Sequence, residues 1–382
     1  MEALYLDCNS TTPADSEVLE SMLPWFSRRF GNPASSQHKF GWEAAAAVEK
    51  ARGEVAALIG TAPEEIIFTS GATESINLAM RGAFSAYSAK GKHLVVGICE
   101  HKAVLDTAED LKRQGAEVSY IGVDREGRID IQQLGAMLRE DTVLVAVMMA
   151  NNETGVIQDS AAIGRLCRER HILHLSDTTQ AAGKIRVDVN EHNIDLCMIS
   201  AHKLYGPKGA GALYVRRKSP RVSLHAQITG GGHERGIRSG SLNVPGIVGM
   251  GTACRLASER LWTYGAHTSR LRTLFEQQMQ SGVNAVINGS IRYRLPNTTN
   301  LLFRDIPSAR LIGSLPDIAF STGSACTSAL QKPSHVLTAM GLSDIEAGYS
   351  VRFSFCKDHT EEEINKAVLR IFRALEEIRH NR

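Results

Sequence analysis

The sequence predicts an α/β protein: a mainly parallel central sheet in a large domain, with a smaller α+β C-terminal domain. Three observations predict it. Short runs that are apolar on both faces alternate with amphipathic stretches between residues 66 and 215, the mark of parallel strands covered by helices. Several of these runs stop abruptly in polar or glycine-containing turns, at Ser70, Asp177 and Ser200. Past residue 241 a long helical stretch runs to about residue 280, and isolated strand-like runs follow it.

In order, residues 3–13 are a short strand entering a turn. Residues 15–30 have helical spacing, stopped by Gly31-Asn-Pro33. Residues 41–59 are alanine-rich with charges on one face, a long amphipathic helix ended by Gly60. Residues 66–69 form a strand, and Ser70-Gly-Ala-Thr-Glu74 opens a helix running to about residue 84. Strands follow at 93–98, 117–121, 143–149, 172–176, 196–199 and 211–215, with helices from 100, at 129–138 and at 161–170. The strand-like runs of the C-terminal part are 297–303, 318–320 and 349–355. The domain boundary falls near Trp262, giving a large domain over residues 13–261.

The 382 residues suffice for a substantial core and two domains. A chain 43% hydrophobic and 22% charged has an ordinary globular balance, and a formal net charge of +2 makes no case for nucleic acid or membrane. Seven cysteines with no CxxC pair argue against a disulfide framework and for a reducing cytoplasm. The N-terminus lacks a basic region followed by a long apolar one, and no segment nears eighteen uninterrupted apolar residues, so neither a signal peptide nor a membrane span is expected.

The chain is organised around Lys203. The apolar run 196–199 stops in Ser200-Ala-His-Lys203, and Gly206, Pro207 and Gly209 punctuate the turn to the next strand. A lysine at the end of a buried strand is either a solvated terminus or an amine made nucleophilic by desolvation and cationic neighbours. The preceding strand ends at Asp177, followed by Thr-Thr-Gln180. An acid that keeps a pyridine nitrogen protonated and a lysine that holds an aldehyde as an imine suit pyridoxal 5'-phosphate. Ser70 to Glu74 at a helix start is either an anion site made by unpartnered N–H groups or an ordinary N-cap.

Residues 177–180 together with Ser200-x-His202-Lys203 resemble the fold-type I pyridoxal-phosphate enzymes of the class V aminotransferase family, and within it the cysteine desulfurases of the NifS/IscS kind. The resemblance runs from Tyr5-Leu-Asp7 to residues 360–363. It implies that Lys203 holds the cofactor, Asp177 pairs with the pyridine nitrogen and Gln180 bonds the ring's phenolic oxygen. Ala72, Thr73, Ser200 and His202 would hold the phosphate. Ser241 would reach the phosphate across a homodimer interface, with Gly230-Gly-Gly232 near the partner's cofactor. His101 would stack on the ring and shuttle protons, and it is otherwise a structural helix start. Asn152 would contact substrate or cofactor. Arg352, on an otherwise apolar strand, fits either an α-carboxylate or a structural salt bridge. Asn32 and His38 would line the entrance. The family's fold also implies that residues 1–12 pack onto 262–382 to complete the small domain.

Ser321-Thr-Gly-Ser-Ala-Cys326-Thr-Ser328 decides the reaction. It resembles the catalytic loop of group I desulfurases, about residues 321–334, with Cys326 the thiolate that takes sulfur as a persulfide. The other six cysteines read as buried hydrophobes. The resemblance thus implies a sulfurtransferase that turns L-cysteine into L-alanine and passes sulfur to a scaffold or carrier. That transfer would serve iron–sulfur cluster assembly, tRNA thiolation or DNA phosphorothioation. A selenocysteine lyase, another class V activity and a non-catalytic docking dimer are the competing readings. Three places depart from the pattern: Cys8 stands where relatives carry asparagine or an aromatic, Cys356-Lys357 replaces a common Gly-Arg pair, and the segment 303–310 is less typical. Cys356 is therefore a second candidate thiol. His171-x-x-His174 is no metal pair, because the two point to opposite faces of a strand and lack a third ligand.

Overall fold

The computed structural model describes residues 3–322 and 333–380. Its strands are β1 (Leu4–Tyr5), β2 (Ile66–Thr69), β3 (His93–Gly97), β4 (Glu117–Ile121), β5 (Thr142–Ala146), β6 (Leu173–Asp177), β7 (Leu196–Ser200), β8 (Gly211–Val215), β9 (Val286–Ile287), β10 (Thr298–Leu302), β11 (Ile318–Ala319) and β12 (Ser350–Ser354). The helices are α1 (Ser16–Met22), α2 (Pro24–Ser27), α3 (Lys39–Leu58), α4 (Ala72–Ala86), α5 (Lys102–Arg113), α6 (Ile131–Met137), α7 (Ser160–Glu169), α8 (Val244–Glu259), α9 (Leu261–Val283), α10 (Ser308–Ser314), α11 (His335–Ala339), α12 (Asp344–Gly348) and α13 (Glu361–His380).

Seven strands form the central sheet in the order β2-β8-β7-β6-β5-β3-β4. The neighbours from β7 to β4 pair in parallel, and β8 runs antiparallel to both β2 and β7. Side chains alternate across a strand, so β7 feeds two cores at once. Cys197 and Ile199 join Val48, Val55, Phe68, Ile247 and Met250 under α3 and α8. Leu196 and Met198 join Ile67, Ile76, Leu94 and Val104 under α4 and α5. That two-sided burial is why these strands read as continuous apolar runs. Each such leucine or isoleucine withdrawn from water contributes about 1.5–3 kcal/mol.

A third core gathers Leu6 with Phe275, Phe353, Phe355, Ile371 and Leu375. It lies under the antiparallel sheet β12-β10-β9 and the two-stranded parallel sheet of β1 and β11. The Phe353 ring lies between Phe320, 5.0 Å away, and Phe275, 4.8 Å away. The N-terminal strand thus meets the C-terminal part of the chain, through Leu4 opposite Ile318 and a bridge from Asp7 to Ser354.

Two helical stretches are broken where the sequence reading ran on. Residues 15–30 divide into α1 and α2 because Pro24 takes the first position of α2 and has no N–H to continue α1. The stretch 241–280 divides at Arg260, which stops α8 and opens α9. The strand expected at 143–149 ends at Ala146, and Ala150 instead bridges Ile157. Among the described residues no helix is long and apolar enough to cross a membrane.

Candidate active site

Asp177 and Ser200 end adjacent parallel strands, and a 3-10 turn from Ala201 to Lys203 follows directly. This is the carboxyl edge of a mainly parallel sheet, where such folds bind ligands. The Lys203 Nζ donates to the carbonyl oxygens of Asn9 at 2.6 Å and Ser10 at 2.7 Å. Burial, then the Arg352 guanidinium, lowers its pKa to about 8, against the pull of Asp7 and Asp177. A substantial fraction of the amine is therefore neutral and nucleophilic near physiological pH. Asp177 is buried and accepts the Thr179 N–H at 2.9 Å.

The neighbouring strand end makes a cradle. Gly71, the N-cap of α4, has φ of +155° and no side-chain cap, so the first turn of a fifteen-residue helix carries no side-chain acceptor. A Cβ on Gly211 would come within 2.5 Å of the Gly71 Cα, so the close approach of β8 to this turn requires glycine. Ser200, opposite Gly211 in register, places its Oγ beside Gly71. Ala72 and the exposed Thr73 open the helix. His202 meets the Thr11 hydroxyl at 3.1 Å, and burial with Lys203 and Lys208 nearby lowers its pKa to about 4. It is a neutral imidazole at physiological pH. N–H groups, hydroxyls and imidazole suit a phosphate, and the carboxylate of the first turn, Glu74, is engaged by Arg238 and the Ser70 N–H.

His101 is the N-cap of α5, its Nδ1 accepting the Ala103 N–H at 3.1 Å. The ring is exposed, yet the surrounding protein lowers its pKa, aided by Lys203 and His335 and opposed by Asp177. Arg352 shows that the salt-bridge reading holds: its Nη2 meets Asp7 Oδ1 at 2.5 Å and its Nη1 the Asn152 carbonyl at 3.0 Å. Its buried Nε makes no hydrogen bond, so this N–H of the fork is still to be given to an anion. Gln180 donates to the Asn9 carbonyl at 2.9 Å and accepts from Lys184 Nζ at 2.6 Å, with one amide N–H still to give.

Residues that the motifs did not single out complete the site. Asn9 binds Lys184 and Asn297 through Oδ1, and Thr298 and Asn152 through Nδ2. Lys184 is buried, and burial with the Lys203 and Arg352 charges holds its pKa well below the usual lysine range. Buried Glu100 has its pKa raised well above the ordinary value by burial. Buried Glu153 accepts from Ser334 Oγ at 2.5 Å. The signal for Asn9 and Asp7 was present as a polar run directly after a strand; for Lys184 and Glu100 nothing distinguished them from surface charges.

Not every expected residue joins this cluster. Asn32 is exposed and turns its Oδ1 to the Ala34 N–H, and His38 caps α3 at Gly41. Ser241 is exposed ahead of α8. Cys326 lies outside the described residues. The expectation of no disulfide is corrected: Cys8 and Cys356 are bonded, while Cys99, Cys167, Cys197 and Cys254 are free and buried. Their partnership was illegible because 348 residues separate them.

A model of the family described as aminotransferase class-V matches residues 4–367. The chain belongs to the class V aminotransferase family. It is 53% identical over 364 residues to the cysteine desulfurase IscS of Neisseria meningitidis serogroup C, covering 95% of this chain and 90% of that one. Among solved structures, a NifS-like protein superposes with a TM-score of 0.92 at 36% identity, covering 98% of this chain and 99% of the other. A structure of SspA in complex with cysteine gives a TM-score of 0.81 at 37% identity, covering 92% and 98%. The likeness to cysteine desulfurases and the fold-type I architecture, both expected from the motifs, are borne out.

Proposed function

We propose that this class V protein is a pyridoxal-phosphate-dependent cysteine desulfurase, converting L-cysteine to L-alanine and a persulfide on Cys326. The observation that carries the reading is the convergence of Asp177, at the end of β6, and Lys203, past the end of neighbouring β7, with His101, past the end of β3, in a chain similar to cysteine desulfurases over nearly its full length. When bound, pyridoxal phosphate supplies an aldehyde and an electron-accepting pyridine ring.

Lys203 is the amine that takes the aldehyde, and its lowered pKa supports that role. Asp177 holds a proton on the pyridine nitrogen, and Gln180 gives its remaining N–H to the ring oxygen. The α4 N-terminus with Ala72, Thr73, Ser200 and His202 holds the phosphate. Arg352 and Asn152 orient the substrate α-carboxylate, with Asn32 and His38 at the entrance. Lys203, once freed, or His101 moves the substrate Cα proton. The Cys326 thiolate attacks the substrate sulfur; the C–S bond breaks, the sulfur leaves as persulfide, and the carbon skeleton takes up a proton to become alanine.

The protein acts as a cytoplasmic homodimer in which Ser241 reaches the partner's phosphate. Exposed Leu23, Phe26, Phe30, Phe40 and Trp42 support a buried face in such a dimer. The large domain spans 13–261, and residues 1–12 with 262–382 form the small one. The persulfide goes to a scaffold or carrier protein, for iron–sulfur assembly, tRNA thiolation or DNA phosphorothioation.

The test feeds L-cysteine to holoenzyme and quantifies persulfide and alanine, wild type beside Cys326→Ala. Loss of both products in the variant supports the reading. A persulfide that survives assigns the sulfur to another thiol. No alanine from either protein overturns the desulfurase reading and directs the assay to selenocysteine.

A further inference from the structure

The two cysteines that depart from the family pattern meet in space. Cys8 and Cys356 are bonded, with their Cα atoms 5.8 Å apart, inside the window that an unstrained bridge needs. Each is buried, 1% and 5% exposed. Neither touches the reaction assigned above. Their position is what makes the pair consequential. Cys8 sits between Asp7, which holds Arg352, and Asn9, whose carbonyl accepts from Lys203. Cys356 sits just past Arg352's strand and just before Lys357, whose N–H donates to the Tyr205 hydroxyl at 2.7 Å. The bond therefore fastens the turn at residues 7–10, against which Lys203 rests, to the end of β12.

The surroundings favour thiol chemistry over a metal. Among the described residues Cys8, Cys356 and His359 place their ligand atoms within 4.8 Å of one another. But the His359 Nδ1 already accepts the Cys356 N–H at 3.1 Å, and the ring also bonds the Tyr5 backbone. A cavity of about 360 Å³, lined by Lys203, Tyr205, His267, Lys357 and Asp358, reaches the two residues that follow Cys356, and neither cysteine lines it.

We propose that Cys8 and Cys356 are a reversible thiol–disulfide site, closed by a low-molecular-weight disulfide and opened by dithiols. One thiolate attacks the small disulfide, releasing one small thiol and leaving a mixed disulfide. The second thiolate then displaces the second small thiol. The two protein thiols are oxidised, the small disulfide is reduced to two thiols, and each protein thiol gives up its proton. In a reducing compartment the pair is open, and oxidative conditions staple the turn.

The test equilibrates holoenzyme with oxidised glutathione or with dithiothreitol, followed by non-reducing peptide mapping and thermal melting. It uses no catalytic readout, so it stands whether or not the desulfurase reading does. Expected is one Cys8–Cys356 linked peptide, lighter by two hydrogens than the pair of thiol peptides. The melting temperature should rise on the order of 5 °C, reversed by dithiothreitol. Cys8→Ser and Cys356→Ser should lose both the link and the shift. Should a variant fail to fold, differential alkylation of the wild type replaces it: both thiols must be protected after oxidation and labelled after reduction. Full labelling after oxidation, a shift that persists in Cys8→Ser, added sulfur in the linked peptide, or a metal ion co-purifying with the reduced pair overturns the proposal.

Discussion

The amine of Lys203 rests on the backbone carbonyl of Asn9, 2.6 Å away, although 194 positions separate the two in sequence. A strand end in the middle of the chain is thus seated on its N-terminal turn. The same burial that brings them together lowers the Lys203 pKa to about 8, with the Arg352 charge adding to it. Capture of an aldehyde needs the neutral amine. Imine formation by apoprotein with pyridoxal phosphate should therefore rise with pH to a midpoint near 8, about two units below free lysine. The linkage has the same sign. The unfolded chain keeps its lysine proton to higher pH, so this group makes the protein more stable as pH rises from about 8 toward the ordinary lysine value. Absorbance-monitored capture across pH checks it, and a midpoint near 10 would sink the argument.

Asn9 also holds four side chains or backbone groups through its carboxamide, among them buried Lys184 at 3.1 Å and Thr298 at 2.9 Å. Asn9→Ala leaves these partners buried without a bond, a loss of about 3 kcal/mol. The urea midpoint should fall with its slope unchanged. A midpoint equal to that of wild type would show that the partners find other bonds.

The sheet and the Lys203–Asp177 pair were legible because each rests on a local pattern: a two-sided apolar run, then a charged residue at its end. Helical periodicity carries across Pro24 and Arg260 in residues 15–30 and 241–280; Pro24 marks its break in the sequence, whereas at Arg260 only the backbone registers it. Arg352 drew attention as a charge on an apolar strand, but its partner Asp7 lies 345 positions away, and no spacing encodes such a meeting. Lys184 and Glu100 were missed for the same reason. Their burial comes from packing, and nothing local separates them from solvated charges.

Arg352 spends Nη2 on Asp7 and Nη1 on the Asn152 carbonyl, while its Nε is buried without a bond. Asp7→Asn removes the charge that balances a buried guanidinium and should cost about 3 kcal/mol. Arg352→Lys keeps the charge and loses the planar fork. If the arginine orients the substrate carboxylate, KM for L-cysteine should rise on the order of tenfold, the worth of one charge-assisted hydrogen bond, with a smaller change in kcat. Steady-state kinetics of both variants decide it. An unchanged KM in Arg352→Lys would confine the residue to its salt bridge.

Glu100 carries the opposite linkage. Its Oε1 accepts the Met148 N–H at 2.7 Å, and its buried Oε2 makes no hydrogen bond. Burial raises its pKa well above the ordinary value, and the Asp177 charge adds to the shift. The folded state therefore binds this proton more tightly than the unfolded chain. Its contribution is fully present below the unfolded value of about 4.3 and is lost as pH rises through the folded pKa. Glu100→Gln keeps an acceptor for Met148 and has no proton to lose. The variant should match or exceed wild type in stability at pH 8, and its advantage should shrink on acidification toward pH 5. Melting temperatures of the two proteins across that range measure the difference. A gap independent of pH would mean that Glu100 does not titrate there. A variant weaker than wild type at pH 8 would mean that the carboxylate is charged in the fold, with a partner that replaces the water it lost.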